Sequence, residues 1–198
     1  SGNDVYVGGD FGMIGRQPRN RIAKLNNTNG IADTTWNPNA NSTVNTIAIS
    51  GSDIYAGGSF TTIGGQLRNR IAKLNNTNGN ADATWNPNAN GTINTITISG
   101  SDIYIGGNFN GTIGGQTRNF IAKLNNANGN VDATWNPSAN DQINTIAING
   151  SEIYVGGAFT SMNGSTTRNR LAKLNNTDGT ADATWDPNSN SNNAINTI

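Results

Sequence analysis

Between residues 94 and 98 the chain alternates. Ile96 and Ile98 fall on one face, and Thr95 and Thr97 on the other. Period-two alternation of β-branched residues is a strand signal and predicts a strand over 94–98. The tight turn Ser99-Gly100-Ser101-Asp102 follows. A second strand is expected over 103–107 and a third over 120–125. Asn128-Gly129 marks a hairpin turn, because Asn-Gly favours the positive φ angles such turns need. A fourth strand is expected over 131–136, stopped by Pro137. No stretch carries a 3.6-residue apolar period or a cap followed by an apolar run, so essentially no helix is predicted.

The same pattern returns along the chain. Trp36, Trp85, Trp135 and Trp185 stand at intervals of 49, 50 and 50 residues. The pairs Gly8-Gly9, Gly57-Gly58, Gly106-Gly107 and Gly156-Gly157 keep that beat. So do the segments RIAKLNN from Arg21 and Arg70, FIAKLNN from Phe120 and RLAKLNN from Arg170. Four short antiparallel strands in each unit of about 49 residues make a propeller blade. The expectation is an all-β β-propeller of four-stranded antiparallel blades, four per chain. It forms a single domain over 1–198, with blade strands beginning near 45, 94, 144 and 196. A lone blade cannot bury both faces, and stacking on neighbours does that.

Three stretches carry a family resemblance: IYVGG, Arg-Asn-Arg followed by Ile or Leu and Ala-Lys-Leu-Asn, and Asp-Gly-Thr-Ala-Asp over 178–182. Together they resemble the delta-60 repeats of bacterial surface and secreted proteins, which are propeller repeats of unknown function. The hydrophobic-Gly-Gly strand with a later Trp is similar, more distantly, to kelch. The resemblance covers all four repeats. It implies an extracellular or cell-surface bacterial setting and no particular substrate.

The chain ends bear on closure. Ser1-Gly2-Asn3-Asp4-Val5-Tyr6 aligns with the turn into the second strand, and Ile195-Asn196-Thr197-Ile198 aligns with the first strand. Residues 195–198 are therefore expected to pair antiparallel with the strand around 5–8 and close the propeller. Closure within one chain gives a monomeric ring of four. Closure between two chains gives a strand-exchanged homodimer, a ring of eight. A piece of a longer array is the third possibility, and the chain opens inside a structural motif without a signal peptide, as a mature or excised portion would.

Composition narrows the function. The 12 Lys and Arg balance 12 Asp and Glu, so no net field draws the chain to nucleic acid or an anionic membrane. No apolar run approaches spanning length, so no membrane insertion is expected. With no Cys and no His, disulfides, thiolate sites and the commonest general base are missing. No cofactor, metal or catalytic set is expected. Glu152, the only Glu, aligns with Asp53 and Asp102 in a turn. The turns over 75–82, 125–132 and 175–182 faintly resemble calcium loops but offer mostly neutral Asn. Asp33, Asp82, Asp132 and Asp182 are expected to accept hydrogen bonds from nearby backbone or Arg.

Two sets of polar residues remain as candidates for binding. Arg19, Arg68, Arg118 and Arg168, each followed by Asn, either clamp an anion or bridge blades. Asn45, Asn94, Asn144 and Asn196 are expected at the mouth of a central channel. Long polar loops such as NPNANGT (86–92) and TTIGGQLRN (61–69) are expected on that face. Trp36, Trp85, Trp135 and Trp185 are expected to pack between blades as structural core. The leading expectation is a non-catalytic extracellular binding or adhesion module for a protein or glycan surface. The rival is a structural repeat or assembly subunit of a surface layer or filament, and a hydrolase comes third.

Overall fold

A computed structural model describes residues 4–189 and 193–198. The first repeat contributes β1 (Asp4–Gly8), β2 (Met13–Ile14), β3 (Gln17–Pro18) and β4 (Ile22–Asn26). Next come β5 (Val44–Ser50), β6 (Asp53–Gly58), β7 (Thr62–Ile63), β8 (Gln66–Leu67) and β9 (Ile71–Asn75). The third repeat has β10 (Thr92–Ser99), β11 (Asp102–Ile113) and β12 (Gln116–Asn125). The fourth has β13 (Ile143–Asn149), β14 (Glu152–Gly157), β15 (Ser161–Met162), β16 (Thr166–Thr167) and β17 (Leu171–Asn175). Every regular element among the described residues is a strand.

Each complete repeat is a three-stranded antiparallel sheet, ordered β5-β6-β9, β10-β11-β12 and β13-β14-β17. The expected fourth strand is absent. Over 131–136 only a single bridge forms, Val131 to Leu124, and its counterparts join Ala32 to Leu25, Ala81 to Leu74 and Ala181 to Leu174. Burial nevertheless alternates along this stretch, with Trp85, Pro87 and Ala89 buried while Asn86, Asn88 and Asn90 are exposed. The ladder stops after that bridge because the chain bends at 133–134, where the Asp132 carboxylate takes the N–H groups of Thr134 and Trp135, as Asp33, Asp82 and Asp182 do in the other repeats. Beyond the Pro, Asn39, Asn88, Ser138 and Asn188 turn left-handed, with φ of +54°, +56°, +43° and +44°. The segment runs as an extended arm.

A second difference lies in the loops such as TTIGGQLRN. They fold back as small hairpins, β2-β3, β7-β8 and β15-β16, and in the third repeat the hairpin is continuous with β11 and β12. Two consecutive left-handed residues turn three of them, Gly15-Arg16, Gly64-Gly65 and Gly114-Gly115, the geometry of a type I′ turn, whose twist matches the strands it joins. The fourth turns through a three-residue loop, 163–165, with Asn163 and Gly164 left-handed.

The hydrophobic cores lie between repeats. One joins Tyr55, Ile71 and Trp85 of the second repeat to Ile93, Ile103 and Phe109 of the third. The other two join the first repeat to the second, and the third to the fourth, in the same way. The Gly pairs permit this stacking. A Cβ on Gly106 would stand 2.5 Å from Cγ2 of Ile143 in the next sheet, and one on Gly57 would stand 2.6 Å from Cγ2 of Ile93.

Closure through the termini is not seen in this structure. Among the described residues β1 is in a two-stranded sheet with β4, and residues 195–198 belong to no sheet. They lie against the fourth repeat instead: the Ile195 N–H donates to the Gly157 carbonyl at 3.1 Å, and Gly156 packs on the Ile195 side chain. The turn expected at Ser1-Gly2-Asn3 lies outside the described residues.

Candidate functional site

The Trp arms connect repeats. Trp36, Trp85 and Trp135 are fully buried, each edge-on to a Tyr of its own repeat, with ring centroids 5.2–5.4 Å apart. Each indole N–H crosses to a carbonyl of the following repeat: Asn75 at 2.9 Å, Asn125 at 3.2 Å and Asn175 at 3.0 Å. Two residues on, the carbonyls of Pro38, Pro87 and Pro137 accept from the N–H of Gly64, Gly114 and Asn163 in that same following repeat. Trp185 keeps its Tyr154 contact at 5.3 Å but is only half-buried, and Pro187 is exposed where its three counterparts are buried.

Arg19, Arg68, Arg118 and Arg168 are buried. Each guanidinium donates to the carbonyl of the preceding residue and to the backbone carbonyl of an Asp fourteen positions on: Asp33, Asp82, Asp132 or Asp182. The side chain thus fastens the small hairpin to the base of the Trp arm, and its charge faces no open cleft. Burial lowers the pKa of Arg68 and Arg118.

The Asn residues form a ladder across the first strands. The amides of Asn45, Asn94 and Asn144 donate to the carbonyls of Ile93, Ile143 and Ile195 at 3.1, 3.1 and 3.4 Å. Asn144 also donates to the side-chain carbonyl of Asn196 at 2.9 Å. Thr97 extends the ladder through its hydroxyl, 2.8 Å from the Ile146 carbonyl.

The sequence reading passed over one constellation. Lys24, Lys73, Lys123 and Lys173 each stand between two carboxylates: Asp4 and Asp33, Asp53 and Asp82, Asp102 and Asp132, Glu152 and Asp182. Distances run from 2.6 to 3.9 Å. The signal was the Lys at a fixed place in every IAKLN run, but its partners come from strand register, as in Tyr55 opposite Lys73. Lys24, Lys73 and Lys123 also reach a carbonyl of the following repeat, that of Asn76, Asn126 or Asn176, at 3.5 Å. Lys73, Lys123 and Lys173 each border a polar cleft, that beside Glu152, Lys173 and Asp182 having a volume of about 460 Å³. Glu152 accepts from the Tyr154 hydroxyl at 2.5 Å.

Asp33, Asp82 and Asp182 are held below the usual carboxylate range. Burial alone would raise the Asp33 pKa. Hydrogen bonds from the Thr35 N–H and hydroxyl, the Trp36 N–H and Lys24 outweigh it and hold Asp33 at about 2. Hydrogen bonds to Thr84 and Trp85 lower Asp82, and the Lys173 hydrogen bond lowers Asp182. Burial opposes charge on Lys24, but the hydrogen bonds to Asp33 and Asp4 raise it. Burial pushes the Tyr55 and Tyr104 hydroxyls up to about 12. Among the described residues no three acidic side chains gather as a metal site would require.

A lowered carboxylate pKa stabilises the fold above its unfolded value and loses that contribution as pH falls through the folded value. Thermal melts should therefore hold level down to about pH 4 and fall between pH 4 and about 2 as Asp33 and its counterparts protonate. Asp82→Asn should flatten that acid limb, and an unchanged limb would refute the assignment. The raised Lys24 acts at the other end, its contribution complete below 10.5 and lost above.

A family model described as a domain of unknown function (DUF5122) beta-propeller matches residues 3–35, 53–84, 102–134 and 152–184. No curated protein matches the chain. Among solved structures, that of BamB from Moraxella catarrhalis is similar at 19% identity and a TM-score of 0.46. The match covers 88% of this chain and 50% of that one, so this chain spans half its length. Among the described residues no helix is long and apolar enough to cross a membrane.

Proposed function

The chain belongs to this β-propeller family, with every repeat matched, and from that premise we propose that it is a non-catalytic structural module whose polar chemistry serves docking of repeat on repeat. One observation carries the reading. The polar side chains present in all four repeats are engaged within the array: Arg on hairpin and arm carbonyls, Asn on the next first strand, Lys between two acids. A recognition surface keeps such groups free for a ligand. The resemblance to delta-60 repeats, and more distantly to kelch, supports an extracellular bacterial setting, in which the module serves as an assembly subunit or spacer.

The binding or adhesion reading retains one feature. The outward side of the arm presents Asn37, Asn86 and Asn136 to solvent in register, and Asn amides suit hydroxyl-rich surfaces. Melting curves and a glycan array separate the two. Asn94→Ala and Arg68→Ala are expected to lower the melting temperature by several degrees, at about 2–4 °C per kcal/mol for a chain of this size. The array should then show no binding to the native chain. Saturable glycan binding lost with Asn94→Ala would overturn the structural reading. Turnover in a hydrolase screen, with or without divalent metal, would do the same.

A further inference from the structure

In an Asn-Gly pair the backbone can attack its own side chain, because glycine carries no Cβ to crowd the amide nitrogen. Seven such pairs occur in the chain, beginning at Asn29, Asn78, Asn90, Asn110, Asn128, Asn149 and Asn163. The reaction needs two freedoms. The Asn side chain must swing its Cγ onto the glycine nitrogen, and that N–H must not be tied to an acceptor. The fold restrains six of the seven.

Asn29, Asn78 and Asn128 lose both freedoms. Each side-chain oxygen accepts the N–H two residues on at 2.9 Å. The N–H groups of Gly30, Gly79 and Gly129 donate to the carbonyls of Asn26, Asn75 and Asn125, also at 2.9 Å. Asn163 is held at both ends of its amide, by the Gly179 carbonyl at 3.2 Å and the Ala181 N–H at 2.9 Å. The Asn90 amide donates to the Asn110 carbonyl at 2.9 Å. Asn110 itself lies within the β11-β12 ladder, where Gly111 is paired with Arg118.

Asn149 differs. It closes the two-residue hairpin of β13 and β14, opposite Glu152. Gly150 turns that hairpin with φ of +62°, and nothing lies within 4 Å of a Cβ built on it. Among the described residues neither the Asn149 side chain nor the Gly150 N–H has a hydrogen-bond partner. Both residues are exposed. The exposure belongs to the turn itself. Ser99 and Gly100 form the same turn in the third repeat, with the fourth stacked beyond them, and are exposed too. The second and third repeats carry Ser50 and Ser99 at this place, which have no amide to lose.

We infer that Asn149-Gly150 is a site of spontaneous deamidation in the folded protein. The Gly150 nitrogen bonds to the Asn149 Cγ, the Cγ–Nδ2 bond breaks, and the displaced nitrogen leaves as ammonia with the Gly150 proton. Water then opens the five-membered imide. Opening at Cγ gives an aspartate. Opening at the backbone carbonyl gives an isoaspartate, whose main chain runs through Cβ and Cγ. Either product adds one negative charge to a chain of zero formal charge, at a ladder end facing Glu152. Like charges opposite one another weaken a strand pair, so the modification loosens the β13-β14 hairpin as the protein ages.

Peptide mass mapping of the full chain tests this, with one sample incubated folded in warm neutral buffer and another in guanidinium chloride. In the folded chain Asn149 should convert within about threefold of its denatured rate, whereas Asn29, Asn78 and Asn128 should slow by about tenfold or more, because two hydrogen bonds must first break. Asn149→Ser restores the turn of the third repeat and should abolish the acidic species that ion exchange resolves from aged native protein. An Asn149 rate suppressed as strongly as that of Asn78 overturns the inference. So does an acidic species that persists undiminished in Asn149→Ser.

Discussion

Trp85→Ala should cost the chain about 3–5 kcal/mol, the range for truncating a buried aromatic, with about 1 kcal/mol more for the indole hydrogen bond. The side chain is fully buried, lies edge-on to Tyr55 at 5.4 Å and donates across the boundary to the Asn125 carbonyl at 3.2 Å. Its loss leaves a cavity in a core shared by two repeats, so both should loosen together. Trp185→Ala is the internal comparison. That ring is half-buried and packs on Tyr154, so its removal should cost about 1–2 kcal/mol. Denaturant titration of both variants gives the two numbers directly. Equal losses would show that the fourth arm is as well covered as the second.

Gly107→Ala is expected to be equally severe for a different reason. Its φ is ordinary, but a Cβ there would stand 2.1 Å from the Thr92 carbonyl oxygen and 3.0 Å from the Ile93 Cα. Both obstacles are backbone of the adjoining strand, at the bulge where register shifts between Ile93 and Thr95. No rotamer relieves such a clash, so β10 must part from β11, at about 3 kcal/mol or more. Gly100→Ala isolates the other role of glycine. There φ is +59° with nothing within 4 Å of a Cβ, so only left-handed strain is added, about 1 kcal/mol. Melting temperatures that fall alike for both would refute the steric account.

The first and second strands were legible because one face of each is buried and the side chains show it: Ile96 inside, Thr97 at the edge of the next strand. The 131–136 segment misled because its pairing ends at the single Val131 bridge: the Asp132 carboxylate takes the N–H groups of Thr134 and Trp135 that a ladder would need. The small hairpins were hidden in plain view, since Ile-Gly-Gly-Gln carries the paired positive φ of a type I′ turn but only two strand residues on each side. The Lys clusters were invisible because Lys73 meets Asp53 and Asp82 only once the strands are set in register. The alignment of the termini read 195–198 as a first strand, whereas the segment joins no sheet and lies against the fourth repeat through the Ile195 N–H and side chain.

The arm also gives the molecule a direction in time. Trp36, Trp85 and Trp135 each wait for a carbonyl some 40 residues downstream. On a ribosome, which delivers the chain from its N-terminus, no repeat can finish its own core until the third strand of its successor has emerged. Synthesis therefore advances with one incomplete repeat always at the front, and each new unit seals the one before it. A stall after the second repeat would strand Trp85 in water, while Trp36, already seated on Asn75, would stay covered.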